Sequence, residues 1–181
     1  MKNKVHLFFF TFFSLLLFVS CIKDTDFNQA DDITVNPVIE LDFIHFNISE
    51  SDYLNTDTGE YRIIVTDTTE LKFLDDDFSR ENIKKADFYF KFQNTVSSNF
   101  ITQFQFLKPN NTLKYQVDIP IQAGSINSPT LTEYTEIIEN DDVRDLTKAE
   151  KVVINITVPE SIENLEGSLN LQSKTTYFLE F

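Results

Sequence analysis

The stretch that decides the fold is "ADFYFKFQ", Ala86–Gln93. Phe88, Phe90 and Phe92 take every second position, and Asp87, Tyr89, Lys91 and Gln93 fill the places between. A period of two puts the three rings on one face of an extended strand and the polar set on the other. The same residues on a helix would spread the rings around its axis and leave no apolar stripe.

The pattern repeats outward from there. "NFITQFQFL" spaces Phe100, Phe104 and Phe106 on one parity, and "TLKYQVDIPI" does so with Leu113, Tyr115, Val117, Ile119 and Ile121. "KVVINITV" gives Val152, Ile154, Ile156 and Val158, and "GSLNLQS" gives Leu169 and Leu171. Between these runs lie the turn clusters "NTDTGE", "KPNN", "AGSINSP" and "PESIENLEG". "VIELDFIHFNI" differs: its apolar positions run 39, 41, 43 and then 44, 46, 48. That slip at Phe43-Ile44 predicts a bulge, or a crossing between two sheets.

Helix is expected in only two places, Asp77–Lys85 and Asn140–Lys151. In the second, Val143, Leu146 and Ala149 recur every three residues, with Asp141 or Asp142 as the N-cap. Eight or nine short strands with one or two short helices predict an all-β, antiparallel β-sandwich over residues 37–181, of immunoglobulin/fibronectin-like or jelly-roll type.

Three resemblances bear on architecture. The segment Ala86–Gly124 is similar to a recurring block in lipoproteins of Flavobacteria type, and resembles the fibronectin-III-like sandwich of late-embryogenesis-abundant type 2 proteins. The closing "TYFLEF", with Tyr177, Leu179 and Phe181 alternating, resembles the last strand of outer-membrane β-barrels. A small eight-stranded outer-membrane barrel is therefore the competing architecture.

The first residues give an address. Lys2 and Lys4 precede an apolar run from Leu7 to Val19, the layout of an export signal. That run is shorter than the roughly 20 residues a membrane-spanning helix needs. "FVSC", Phe18–Cys21, resembles a bacterial lipobox, with Ser20 as the small residue before the cut and Phe18 where Leu, Val or Ile is more usual. The resemblance implies removal of residues 1–20 and acylation of Cys21, the only cysteine in the chain. Several acyl chains would anchor the protein to a membrane stably, where one holds weakly. "CIKDTDFNQADD" resembles the start of surface lipoproteins of Bacteroidota, in which an acidic tract directs the protein outward. Residues 21–36 are then an acidic tether. The expected location is the outer membrane, with the cell surface favoured over the periplasmic face.

Charge narrows the partners. Without residues 1–20 the chain carries 13 Lys and Arg against 29 Asp and Glu, a formal charge of −16 over 161 residues. That balance opposes nucleic acid and anionic lipid headgroups. Three glycines in the whole chain, and no G-x-G-x-x-G or P-loop string, argue against a phosphate-cradling loop.

Reactive side chains are few. His45 is the only histidine after the leader, and no G-x-S-x-G accompanies it, so it is expected to be structural. With Cys21 acylated, neither a thiolate nor a His/Cys zinc site is available. Asp75-Asp76-Asp77 and the cluster Glu139, Asn140, Asp141, Asp142, Asp145 are the densest acids, but neither holds the glycine and spacing of a calcium loop. Solvated, helix-capping loops explain them. Tyr53, Tyr61, Tyr89, Tyr115, Tyr134 and Tyr177 are expected at rims and cross-strand contacts.

No catalytic residues, no metal and no cofactor are therefore expected. The sequence reads as a lipid-anchored, non-enzymatic binding or accessory lipoprotein. Its partners would be the membrane through Cys21, an outer-membrane protein, or a small molecule or glycan. The alternatives are a surface hydrolase using carboxylates or calcium, and the small barrel.

Overall fold

The computed structural model describes residues 34–53, 57–58, 64–75, 77–157 and 166–181. Val35–Phe181 form one compact unit. Cys21 and the expected leader and tether up to residue 33 lie outside the described residues, as do Tyr61, Asp76 and Val158.

The described residues form eight strands: β1 Val38–Ser49, β2 Ile64–Glu70, β3 Ile83–Asn94, β4 Phe100–Leu107, β5 Leu113–Ile121, β6 Thr130–Glu139, β7 Lys151–Thr157 and β8 Ser168–Leu179. They build two four-stranded antiparallel sheets, in the orders β1-β8-β3-β6 and β2-β7-β4-β5. Every outer pairing joins strands equally far from the chain's middle: β1 with β8, β2 with β7, β3 with β6 and β4 with β5. The strands are thus one long folded ribbon rolled into two layers, with β3–β8 and β4–β7 as the added contacts. That is the jelly-roll form of the sandwich, which decides between the two sandwich types the sequence left open. Two separate sheets also replace the single closed wall of the small barrel, and that architecture is set aside.

The alternating rings fill the space between the layers. Phe88, Phe90 and Phe92 of β3 and Phe100, Phe104 and Phe106 of β4 are all buried. Phe90 tilts against Phe104 at 4.5 Å, and Phe88 meets Phe106 edge-on at 5.1 Å. Such geometries suit the ring quadrupoles, and each buried side chain contributes about 1.5–3 kcal/mol.

The expected slip in β1 is a bulge, with the β1–β8 register shifting between Asp42 and His45. Ser173 repairs the ladder there. Ile44 N donates to Ser173 Oγ at 2.9 Å, and Ser173 Oγ donates to Ile44 O at 2.7 Å. Phe43 and Ile44 can therefore both turn inward, Phe43 against Phe88 and Phe106.

Helices are shorter than expected. α1 is Glu50–Tyr53, α2 is Asp77–Asn82 and α3 is Asp141–Leu146, with a 3-10 turn over Lys72–Asp75. Ile83–Lys85, expected as helix, belong to β3, because Ile83 is buried in the sheet. α3 is capped by Asn140 rather than by Asp141 or Asp142. Asn140 sits at φ 58° and makes no side-chain cap bond. Among the described residues, no helix is long and apolar enough to cross a membrane.

One glycine is forced by a close approach. A Cβ on Gly124 would lie 1.9 Å from the Asn94 carbonyl oxygen, where the β5–β6 and β3–β4 connections meet. Asn94 binds that junction, donating from Nδ2 to Ser98 O and Gln122 O and accepting from Val96 N.

Candidate functional site

A sandwich has two lateral sides where the edge strand of one sheet faces the edge strand of the other. Here those pairs are β5 with β6 and β1 with β2. The β5/β6 side is latched. Glu136 of β6 points inward and accepts hydrogen bonds from Tyr115 Oη at 2.5 Å and from Tyr134 Oη. Burial and the Glu136 carboxylate push the Tyr115 phenol well above its ordinary value, and the hydrogen bond to Glu136, then burial, lift Tyr134 to about 12. Lys114 of β5 reaches Asp145 of α3 at 3.5 Å, and Lys148 reaches the same carboxylate at 2.7 Å.

The β1/β2 side carries two clefts instead. The larger, about 280 Å³, opens between the first half of β1, the end of β2 with the 3-10 turn, and β8. Its apolar walls are Leu41, Phe43, Leu71, Phe73 and Tyr177, with Phe73 stacked on Tyr177 at 4.6 Å. Asp42, Glu70 and Lys72 stand at the exposed rim. Thr175 lies among these lining residues and is 1% exposed. Its Oγ1 has no hydrogen-bond partner among the described residues. Burial raises the Tyr177 phenol far above its usual value, and the side-chain interaction with Thr175 acts in the opposite sense.

An unmade hydrogen bond on a buried hydroxyl costs about 1–3 kcal/mol. Thr102, also buried and unpartnered, sits mid-core on β4 and borders neither cleft. Thr175 is the one of these two residues that belongs to the cleft's lining, with its Oγ1 sealed from solvent. The second cleft, about 250 Å³, lies further along the same side between Phe46, Ile48, Val65 and Ile156.

The residues singled out in the sequence are not brought together. His45 is exposed on the outer face of the first sheet, beside Asp42, Tyr89 and Lys91, rather than packed in the strand's interior. The nearby Ser173 hydroxyl is already engaged by both backbone groups of Ile44, so no Ser-His relay is assembled. Asp77 pairs with Arg80 at 2.8 Å and Asp141 with Arg144 at 2.9 Å. Among the described residues, no group of three or more His, Cys, Asp and Glu is placed to hold a metal ion.

Of the tyrosines, Tyr53 and Tyr177 are core residues, Tyr115 and Tyr134 form the latch, and Tyr89 donates across strands to Glu133 at 2.9 Å. The cleft itself was missed. Its signal is the parity of β8: Leu169, Leu171, Tyr177 and Leu179 share one face, and Ser173 and Thr175 occupy that same face.

Fold and site together define a jelly-roll sandwich with one latched side and one clefted side. No family model and no curated protein matches the chain. Among solved structures it is similar to the T=1 particles derived from infectious bursal virus, at 8% identity and TM-score 0.48, over 80% of this chain and 32% of that one. A secreted protein from Parabacteroides distasonis ATCC 8503 matches 63% of this chain and 37% of its own length, at 17% identity and TM-score 0.43. The enzymatically active domain of tailspike protein 4 from bacteriophage CBA120 matches 80% of this chain and 19% of its own, at 12% identity and TM-score 0.39. The chain spans little more than a third, or less, of each of these. Nothing in the functional reading rests on them.

Proposed function

We propose that this chain is a lipid-anchored, non-enzymatic binding lipoprotein of the outer membrane, facing the cell surface, with its binding site on the β1/β2 side of the sandwich. The observation that carries the binding part is the cleft of about 280 Å³ walled by Leu41, Phe43, Leu71, Phe73 and Tyr177. A concave, mostly apolar recess with a few polar groups at its rim has the general form of a small-molecule site. The lipobox-like Phe18–Cys21 supports the anchor, and the acidic tract after it supports the outward face. The ion-paired acids and the isolated His45 favour recognition over hydrolysis.

Mass spectrometry of the protein purified from its native host tests the anchor. The expected result is an N-terminal Cys21 carrying acyl chains. A free thiol at Cys21, or an intact Met1, overturns it. Protease shaving of intact cells tests the face: surface exposure predicts loss of the sandwich, whereas full protection places it on the periplasmic side.

A further inference from the structure

We propose that the end of the sandwich from which the tether emerges is a membrane-contact surface, with Phe78 and Phe181 dipping into the headgroup boundary of a bilayer low in anionic lipid. The inference deepens the anchor reading and rests on it. Of the described phenylalanines only these two are exposed, at 60% and 42%; every other ring is buried or half-buried. They are stacked on each other at 4.6 Å rather than scattered. Val35 joins them, exchanging both of its backbone hydrogen bonds with Phe181. Val38, 58% exposed, follows at the start of β1. Single apolar side chains on a surface need no explanation, whereas a contiguous group points to a contact.

The tether says what covers this group. Cys21–Ile33 is thirteen residues and spans at most about 45 Å. It enters the sandwich at Val35, inside the apolar group itself. Bringing the opposite end to the bilayer would run the tether along all twelve residues of β1, about 40 Å, and leave little of its length to spare. Acyl chains on Cys21 therefore hold the Phe78/Phe181 end nearest the lipid. Tethering also makes the contact intramolecular, at an effective concentration of order millimolar. Two rings then suffice, as a second signal beside the acyl chains, where a free protein would not stay bound. Charge selects the lipid. Exposed Asp77 precedes Phe78 and exposed Glu180 precedes Phe181, so anionic headgroups are repelled. The same acids oppose a second copy of the chain. They oppose the tether too, which carries Asp24, Asp26, Asp31 and Asp32.

Acylation leaves no thiol at Cys21, so one introduced cysteine can be labelled alone. Val38→Cys reports from the proposed contact, and Ile126→Cys from the opposite end of the first sheet. Each acylated protein is labelled with the environment-sensitive fluorophore NBD and placed in phosphatidylcholine nanodiscs, with and without a lipid carrying a doxyl quencher near its headgroup. Emission from position 38 is expected to shift to the blue and to be quenched several-fold more than emission from position 126. Phe78→Ser, a change at an exposed position, should return the position 38 label to water-like emission. Replacing part of the phosphatidylcholine with phosphatidylglycerol should weaken the quenching. An acylated protein whose position 38 label stays unquenched overturns the contact and keeps the anchor. A blue shift without quenching shows the rings covered by the tether and also overturns it. So does quenching that appears only with two copies in a disc. Label found on Cys21 by mass spectrometry removes the anchor itself, through a separate readout, and the contact falls with it.

Discussion

The two sides of the sandwich solve the same problem in opposite ways. Both bring together edge strands from different sheets, and both lack a ladder between those strands. On the β5/β6 side, one inward carboxylate and two phenols close the gap, and α3 adds ion pairs at its end. On the β1/β2 side, the bulge swings β1 and leaves space bounded by rings and by one unsatisfied hydroxyl. The difference lies in how the gap between the layers is filled, by polar side chains on one side and by open space on the other. Closure ties the layers on one side, and the other side keeps a concave recess.

The largest expected effect tests whether the open side is groove or core. Phe106→Ala empties a fully buried position and should cost about 3–5 kcal/mol in urea unfolding. Phe43→Ala, half-buried at the cleft wall, should cost about 2 kcal/mol. Equal costs would break the comparison, because the cleft would then be packed interior.

Next comes the latch. Glu136→Gln weakens two charge-assisted bonds and should cost about 1–2 kcal/mol. The pH dependence has a definite sign. A phenol whose folded pKa lies above its unfolded value of about 10 stabilises the fold fully below that value. The contribution is lost as pH rises through about 12 for Tyr134. Alkaline unfolding followed by circular dichroism should therefore begin at lower pH in Glu136→Gln than in the parent. Coincident curves would show that the latch holds nothing.

A smaller effect, of opposite sign, is expected at two of the three orphan hydroxyls, Thr175 and Thr102, the third being Tyr53 Oη. Thr175→Val and Thr102→Val each remove an unmade bond while keeping the shape, and each should raise stability by up to about 1 kcal/mol. If Thr175→Val destabilises instead, its hydroxyl is already satisfied and the open side loses its distinguishing feature. The smallest effect lies at the latched end. Lys148, then Lys114, hold the exposed Asp145 carboxyl below its ordinary value of 3.8. That contribution is present at neutral pH and lost as pH falls through the lowered value. An NMR titration that puts Asp145 at or above 3.8 would remove these ion pairs from the account.

Much of the fold was legible because burial writes itself in alternation. Phe88, Phe90 and Phe92 announced their strand, and the doublet Phe43-Ile44 announced the bulge. Topology was not legible, since period two says which face is buried but not which strand lies beside it. The helix ends were misjudged because Ile83 suits a helix or a strand, and sheet burial decided the matter. The latch was invisible: Glu136 reads as one more acid in an acidic chain until Tyr115, from another sheet, lies against it. Thr175 was hidden for a different reason. A polar residue on an apolar parity looks like the end of a strand, whereas here the strand runs on through it to Leu179.

The nested pairing has a consequence for how the chain comes into being. β4 and β5 are joined by a short turn and can zip at once, whereas β1 is made before the other seven strands and meets β8 only after all of them have been made. Until then β1 is an unmatched ribbon with an apolar face, the kind of exposed edge that favours aggregation. Delayed completion of this kind also keeps a polypeptide threadable, which any route across a membrane in unfolded form requires.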